Sequence, residues 1–250
     1  MTKMKYKNPP IVEAICEIRF SEDTRWDNTI PGLLYSGIRN QFPIKKQRFN
    51  NEVVINQKND GEIEHQVINS VIAQFFSEDE KFLVQVGERL LTINHIAPYT
   101  GWEKFFPLIE NVFNVLINEL EYCKISRIGL RFINNVKSQS HTLNSIKEYL
   151  TIFPEYNKNL SKNILSFITG LTFDISETNR SNIRVNSLPS DKGFINLVLD
   201  IDYFTKPTTV ILGNGVLSWI QDGHNQVVRI FEESITENSR KIFEVMNNDS

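Results

Sequence analysis

The chain has 250 residues, 40% hydrophobic and 23% charged, the composition of an ordinary globular protein built as one large domain or two intimate halves. A formal net charge of −3 argues against a general nucleic-acid-coating role, while a local basic patch could still hide within it. No apolar run reaches the ~18 residues of a membrane span. Met1–Asn8 is basic and polar without an apolar core, so it does not read as a secretory signal. The two cysteines, Cys16 and Cys123, have no metal-ligand spacing, which suits two free thiols in a reducing cytoplasm.

Ile11–Phe20 reads as the first strand. Val12, Ala14, Cys16, Ile18 and Phe20 share one face, and Glu13, Glu17 and Arg19 share the other with Ile15. A face that mixes acids and a base must be solvated, paired or functional. Asp27-Asn28-Thr29-Ile30-Pro31 is a helix-start signal, and a helix over roughly 31–41 stops before Pro43. Val53–Gln57, Glu62–Phe76, Lys81–Val86 and Leu90–His95 read as strands, with turns at Asn59-Asp60-Gly61 and Glu78-Asp79-Glu80. The run Lys45-Lys46-Gln47-Arg48-Phe49 reads as a solvated loop before them, with nucleic-acid contact as the lesser alternative.

Pro98-Tyr99-Thr100-Gly101 opens a long amphipathic helix, with Trp102, Phe105, Ile109, Val112, Phe113 and Leu116 at spacings of three and four. Pro107 must kink it or mark its first turn. Lys124–Val136 then reads as a strand, Leu143–Leu150 as a short helix, and Ile164–Ser176, Asn182–Ser187 and Phe194–Phe204 as strands. The loops near Ser138–His141 and Glu177–Ser181 are expected to be exposed. One long helix runs from Gly215 to about Met246. The expected fold is therefore α+β: two similar β-α-(β meander)-α halves, 1–123 and 124–250, closely packed, with antiparallel sheets and long helices on one face. Trp102 and Trp219 open the closing helix of each half.

Several segments together resemble a known family. Asn8-Pro9-Pro10-Ile11-Val12-Glu13-Ala14 with Glu17-Ile18-Arg19-Phe20, Pro98-Tyr99 with Gly101-Trp102, and Arg127-Ile128-Gly129-Leu130-Arg131-Phe132-Ile133-Asn134 follow in order. Leu199-Asp200-Ile201-Asp202, His224, Phe231-Glu232 and Ile235-Thr236 complete the set. The pattern is similar to that of a sporadically distributed, functionally uncharacterised prokaryotic family that opens on Asn-x-Pro-Ile-Val-Glu-Ala. The resemblance brings no activity with it. Its patchy distribution implies an accessory role, such as cargo of a mobile defence or toxin–antitoxin-like locus.

The strand after the first long helix places Arg127, Gly129 and Arg131 on one face and Ile128, Leu130 and Phe132 on the other. Arg127 and Arg131 beside Glu13 and Glu17 suggest a cross-strand ionic array. The alternative is an anion site in which Arg19, Arg127 and Arg131 hold a carboxylate or phosphate, with Gly129 allowing close approach. Asp200 and Asp202 share a strand face at a spacing that can hold a divalent metal, with Asp174 as a third carboxylate. Glu13 and Glu17 are candidates for an acid–base pair. His224 lies on the apolar side of its helix, as a core histidine or, less readily, a general acid/base. His65, His95 and His141 form no ligand set. Gly213-Asn214-Gly215 has no phosphate-loop context, and no nucleophile elbow, zinc-protease helix or Cys-x-x-Cys is present.

These readings favour a non-catalytic binding protein with a protein partner or a homodimer, no cofactor and no membrane association, in the cytoplasm. The alternatives are a metal-dependent phosphoesterase or nuclease using Asp200 and Asp202 with Arg127 and Arg131, and a saddle-like sheet that binds nucleic acid. The acids Glu13, Glu17, Asp200 and Asp202 oppose the last, because phosphate needs a positive surface.

Overall fold

A computed structural model describes residues 4–57, 63–120, 123–138, 143–157, 159–160, 164–188, 195–207, 209 and 211–246. The turn at 59–61 and His141 lie outside the described residues, as does the side chain of His65. Strands β1 (Ile11–Phe20), β2 (Ile44–Gln57), β3 (Ile63–Phe76), β4 (Phe82–Gly87), β5 (Leu90–Ile96), β6 (Lys124–Ser138), β7 (Ile168–Asp174), β8 (Asn179–Leu188) and β9 (Ile195–Thr205) form one antiparallel sheet. Their order is β2-β3-β4-β5-β1-β6-β9-β8-β7, and a short β10 (Ile211–Leu212) pairs with β6. Helices α1 (Ile30–Ile38), α2 (Trp102–Glu119), α3 (Gly213–Ser234) and α4 (Glu237–Phe243) complete the α+β fold.

The alternation in β1 becomes two chemically distinct sheet faces. One continuous cross-strand row runs Phe75–Val84–Ile93–Cys16–Leu130–Tyr203–Ser181–Phe173. Every member but the last is buried, under α1, α2 and α3. The adjacent row, one residue along, runs Gln74–Gln85–Thr92–Glu17–Gly129–Phe204–Arg180–Asp174 on the opposite face. Shifting the register by one residue would exchange these rows, so burial of the first fixes the pairing. On the helix side, Phe105, Ile109, Val112, Phe113 and Leu116 of α2 are buried. Gly37 of α1 lies against Val115 of α2, and Gly223 of α3 against Leu130 and Tyr203.

Several local expectations are corrected. Lys45–Phe49 is part of β2, where it pairs residue for residue with Val71–Phe75 of β3, rather than a loop. Pro107 sits inside α2, and the helix starts five residues earlier, at Trp102. Proline needs no N–H donor only in a first turn, so the carbonyl of Glu103 loses its usual helical donor. Gly101 precedes the helix with φ of 107°, a conformation glycine reaches without strain. Leu143–Glu148 is a 3-10 turn, and the strand expected over 164–176 contracts to Ile168–Asp174. The long C-terminal helix divides after Ser234. Ile235 pairs with Leu150 in an isolated bridge, and Thr151 N–H donates to the Ser234 carbonyl at 2.9 Å. Those tertiary bonds compete with helix continuation there.

Candidate functional site: a charged sheet face and a cleft behind it

The outer face brings together the charged residues singled out in the sequence. Arg19 and Arg127 stand directly opposite each other on β1 and β6. The Glu17 carboxylate resolves that like-charge contact. It accepts from Arg19 Nε at 2.8 Å and Nη2 at 3.2 Å, and from Arg127 Nη1. Arg127 Nη2 donates to Asp202 Oδ2 at 3.0 Å, and its guanidinium lies 4.6 Å from the Phe204 ring centroid. Arg131 grips Asp200 through both Nε at 2.8 Å and Nη2 at 2.6 Å. Gly129 makes room for this array. A Cβ there would stand 2.7 Å from Arg127 Nη1, so the close approach expected at this glycine is made by Arg127 itself.

Glu13 accepts from Asn94 Nδ2 at 2.7 Å, and its charge also acts on Arg131. Glu13 and Glu17 are therefore held by different partners. Asp174, the third carboxylate of the metal reading, is held by Arg180 at 2.8 Å and Lys206 at 3.1 Å. Among the described residues, no group of three or more His, Cys, Asp or Glu is placed to hold a metal ion.

The two central acids are tuned in opposite directions. Burial opposes ionisation of Glu17, but the hydrogen bonds and charges of Arg19 and Arg127 prevail and hold its carboxyl below the usual range. For Asp202 burial prevails over the attraction of Arg127, and the nearby Glu17 and Asp200 add to it, so its carboxyl is pushed up. A pair of carboxyls split in this way can serve acid–base work. Here the split follows from three guanidiniums shared unequally among the acids.

His224 lies on the other side of the sheet. It is 7% exposed and stacks on Trp102 with centroids 3.9 Å apart and planes within 3°. Together they wall a cleft of about 490 Å³, large enough for a small ligand or an anchoring side chain. Tyr99 and Phe132, Val227, Val228 and Phe231 of α3, and residues 4–7 and 9–11 of the N-terminal segment line it. That segment is tied to the C-terminal end of the chain. Tyr6 pairs with Val245, Met246 N–H donates to the Lys5 carbonyl at 2.7 Å, and Asn8 N–H donates to the Phe243 carbonyl at 3.0 Å. Tyr6 Oη donates to Glu232 Oε1 at 2.8 Å, and Arg240 Nε donates to the other oxygen at 3.1 Å. Burial, followed by the Glu232 carboxylate, raises the Tyr6 phenol well above its ordinary value.

The cysteines serve neither site. Cys16 is fully buried in β1, which pushes its thiol up, and burial pushes the Cys123 thiol up to about 11.

The sequence singled out Trp102 and His224 separately but did not show that they meet in a cleft. Tyr6, Trp102 and the α3 residues His224 and Glu232 come from three distant parts of the chain; Trp102 of α2 stacks on His224, and the N-terminal segment reaches Glu232 through Tyr6. Comparisons of the chain with protein-family models, with curated proteins and with solved structures found no match. Among the described residues no helix is long and apolar enough to cross a membrane.

Proposed function

We propose that this is a non-catalytic binding protein that receives an apolar or aromatic segment of a protein partner in the Trp102–His224 cleft. One observation carries the reading: several of the segments that bear the family resemblance converge on this cleft, while residues 199–202 and 235–236 do not reach it. Pro9, Pro10 and Ile11 come from the opening signature, Trp102 from the start of α2, Asn134 from β6, and His224, Phe231 and Glu232 from α3. Several polar groups around it are engaged with the protein itself, although the buried Tyr99 hydroxyl has no hydrogen-bond partner among the described residues. Lys5 pairs with Glu103, Lys7 with Glu244, and Asn134 Nδ2 donates to the carbonyls of Phe132 and Leu199. Such a lining favours burial of an apolar group over activation of a reactive one.

The same proposal places the protein in the cytoplasm as an accessory of a mobile defence or toxin–antitoxin-like locus. It treats 1–123 and 124–250 as duplicated β-α-(β meander)-α units. The sheet order supports this. β1 and β6 pair antiparallel at the middle, and the meander of each half leads to an opposite edge, β2 or β7. The phosphoesterase and nucleic-acid readings are less supported, because Asp200 and Asp202 are each engaged by an arginine.

Val228 is partly exposed on the cleft wall, so Val228→Trp narrows the cleft without entering the core. A photo-crosslinking residue at position 228 should capture a protein partner. Val228→Trp should abolish its binding, and Arg131→Gln on the opposite sheet face should leave it intact. Equal binding by the two variants, or no partner at all, would sink the reading. Mn²⁺-dependent nuclease activity lost in Asp202→Asn would favour the enzyme instead.

A further inference from the structure

We propose that β7 is a homodimerisation strand, pairing antiparallel with β7 of a second copy about a twofold axis at Leu171. This goes beyond the cleft reading and does not depend on it, since no residue of β7 lines the cleft.

The two edges of the sheet are protected very differently. Edge strands ordinarily carry charges, proline or bulges that discourage pairing with another chain. β2 carries Lys45, Lys46 and Arg48 within its first turn of alternation. β7 reads Ile-Thr-Gly-Leu-Thr-Phe-Asp, without lysine, arginine or proline. Its one charge, Asp174, is neutralised by Arg180 and Lys206 of its own chain. Ile168 is 79% exposed, Leu171 44% and Phe173 42%. Leu171 and Phe173 belong to the helix-covered face, where their rows continue into buried Ile183 and Ser181. They are exposed because the helix layer does not reach the last strand.

The main chain of β7 specifies how a second copy would fit. Ser187 N–H donates to the Phe167 carbonyl at 3.1 Å, and Ile175 N–H donates to the Asn179 carbonyl at 3.0 Å. The odd-numbered residues thus direct their main-chain groups at β8. Ile168, Gly170, Thr172 and Asp174 direct theirs outward. A twofold axis at Leu171 sets Gly170 against Thr172 of the second copy and Ile168 against its Asp174. Every outward residue then has a hydrogen-bonding partner, about eight bonds in all at two per bonded pair.

Leu171 meets its own copy at the intervening non-bonded position, with Cα atoms about 4.5 Å apart, where side chains approach most closely. Phe173 packs against Thr169. No like charges are opposed, whereas the same operation at β2 would bring Lys45, Lys46 and Arg48 close to their copies. This absence of self-repulsion selects a second copy over a charged foreign strand, and antiparallel self-pairing closes as a dimer. The contact is only ~23 Å long. It falls at the small end of specific interfaces, so dissociation is expected in the micromolar range.

Sedimentation equilibrium of the full chain should show a concentration-dependent monomer–dimer equilibrium. Leu171→Lys should raise the dissociation constant ~100-fold or more, because it opposes like charges across the axis. Its melting temperature at low concentration should be unchanged, because the side chain is exposed in the monomer. Under mild oxidation Leu171→Cys should cross-link to a dimer much faster than Ile168→Cys or the unsubstituted protein. A protein monomeric to hundreds of micromolar would overturn the proposal, as would a dimer indifferent to Leu171→Lys or equal cross-linking at 168 and 171. Val228→Trp should dimerise like the parent, so failure of the cleft reading leaves this test untouched.

Discussion

Replacing Arg127 with leucine should destabilise the protein by about 1.5–3 kcal/mol at neutral pH, and the size follows from what the guanidinium holds. Its side chain is 26% exposed, and those of Glu17 and Asp202 are 21% and 24% exposed. The array therefore lies between an exposed pair, worth ~0–1 kcal/mol, and a buried one, whose breaking costs ~3–5 kcal/mol. Glu17 keeps Arg19 at 2.8 Å, so the damage concentrates on Asp202 and amounts to ~1–2 kcal/mol. Loss of the contact with Phe204 adds ~0.5–1 kcal/mol. For a chain of this size the melting temperature should fall by about 5–10 °C.

The effect should depend on pH with a definite sign. Asp202 is already pushed up by burial, and removing Arg127 pushes it further. A carboxyl whose folded value lies above its unfolded value destabilises the fold once ionised, so protonation relieves the cost. The deficit of Arg127→Leu relative to the parent should be largest at pH 7.5 and shrink toward pH 5. Asp202→Asn added to Arg127→Leu should recover most of it. Urea titrations at both pH values, with unchanged slope, measure the difference. A deficit below about 0.5 kcal/mol, one that is the same at both pH values, or one that Asp202→Asn fails to rescue would refute the reasoning.

Three further outcomes are expected. His95 is fully buried among Phe82, Tyr99 and Phe105, and burial brings its pKa down to about 4. The unfolded chain takes up this proton first, near pH 6.5, so the contribution is intact above that value and lost as pH falls toward 4. A flatter stability profile over that window in His95→Phe would show it. At the α1–α2 contact, a Cβ on Gly37 would lie 2.5 Å from Val115 Cγ1. Gly37→Ala should therefore cost ~1–3 kcal/mol through overpacking, and Val115→Ala in the same chain should recover part of it in a thermal melt. Tyr6→Phe removes the 2.8 Å bond to Glu232 and should cost ~1 kcal/mol, read as faster amide exchange over residues 4–8 and 243–246 with little change elsewhere.

Much of the sheet was legible from alternation alone. The inner and outer faces of β1 and β6 fell as their patterns require, because a half-buried strand must alternate. The ionic array was legible for the same reason, since Glu17, Arg127 and Asp202 all sit at outward positions. Which acid each arginine takes was not legible. Register decides it: Arg131 stands opposite Asp202 in the β6–β9 ladder, yet its side chain reaches the neighbouring Asp200, while Arg127 crosses Gly129 to hold Asp202. Helix ends were misjudged where tertiary bonds override local preference, as at Ser234, where the bridge from Ile235 to Leu150 ends the helix.

By itself the sequence determined the α+β class, the amphipathic α2 and the chemistry of each sheet face, because periodicity and burial are local properties of the chain. Only the tertiary structure decided that all the strands join one sheet, that the chain ends close a cleft around Trp102 and His224, and that the helix layer stops short of β7. Each of these depends on contacts between distant segments, whose geometry is set by packing of the whole molecule. The exposed edge at Leu171 is the plainest case: its alternation promises burial, and only the reach of the helix layer leaves it open.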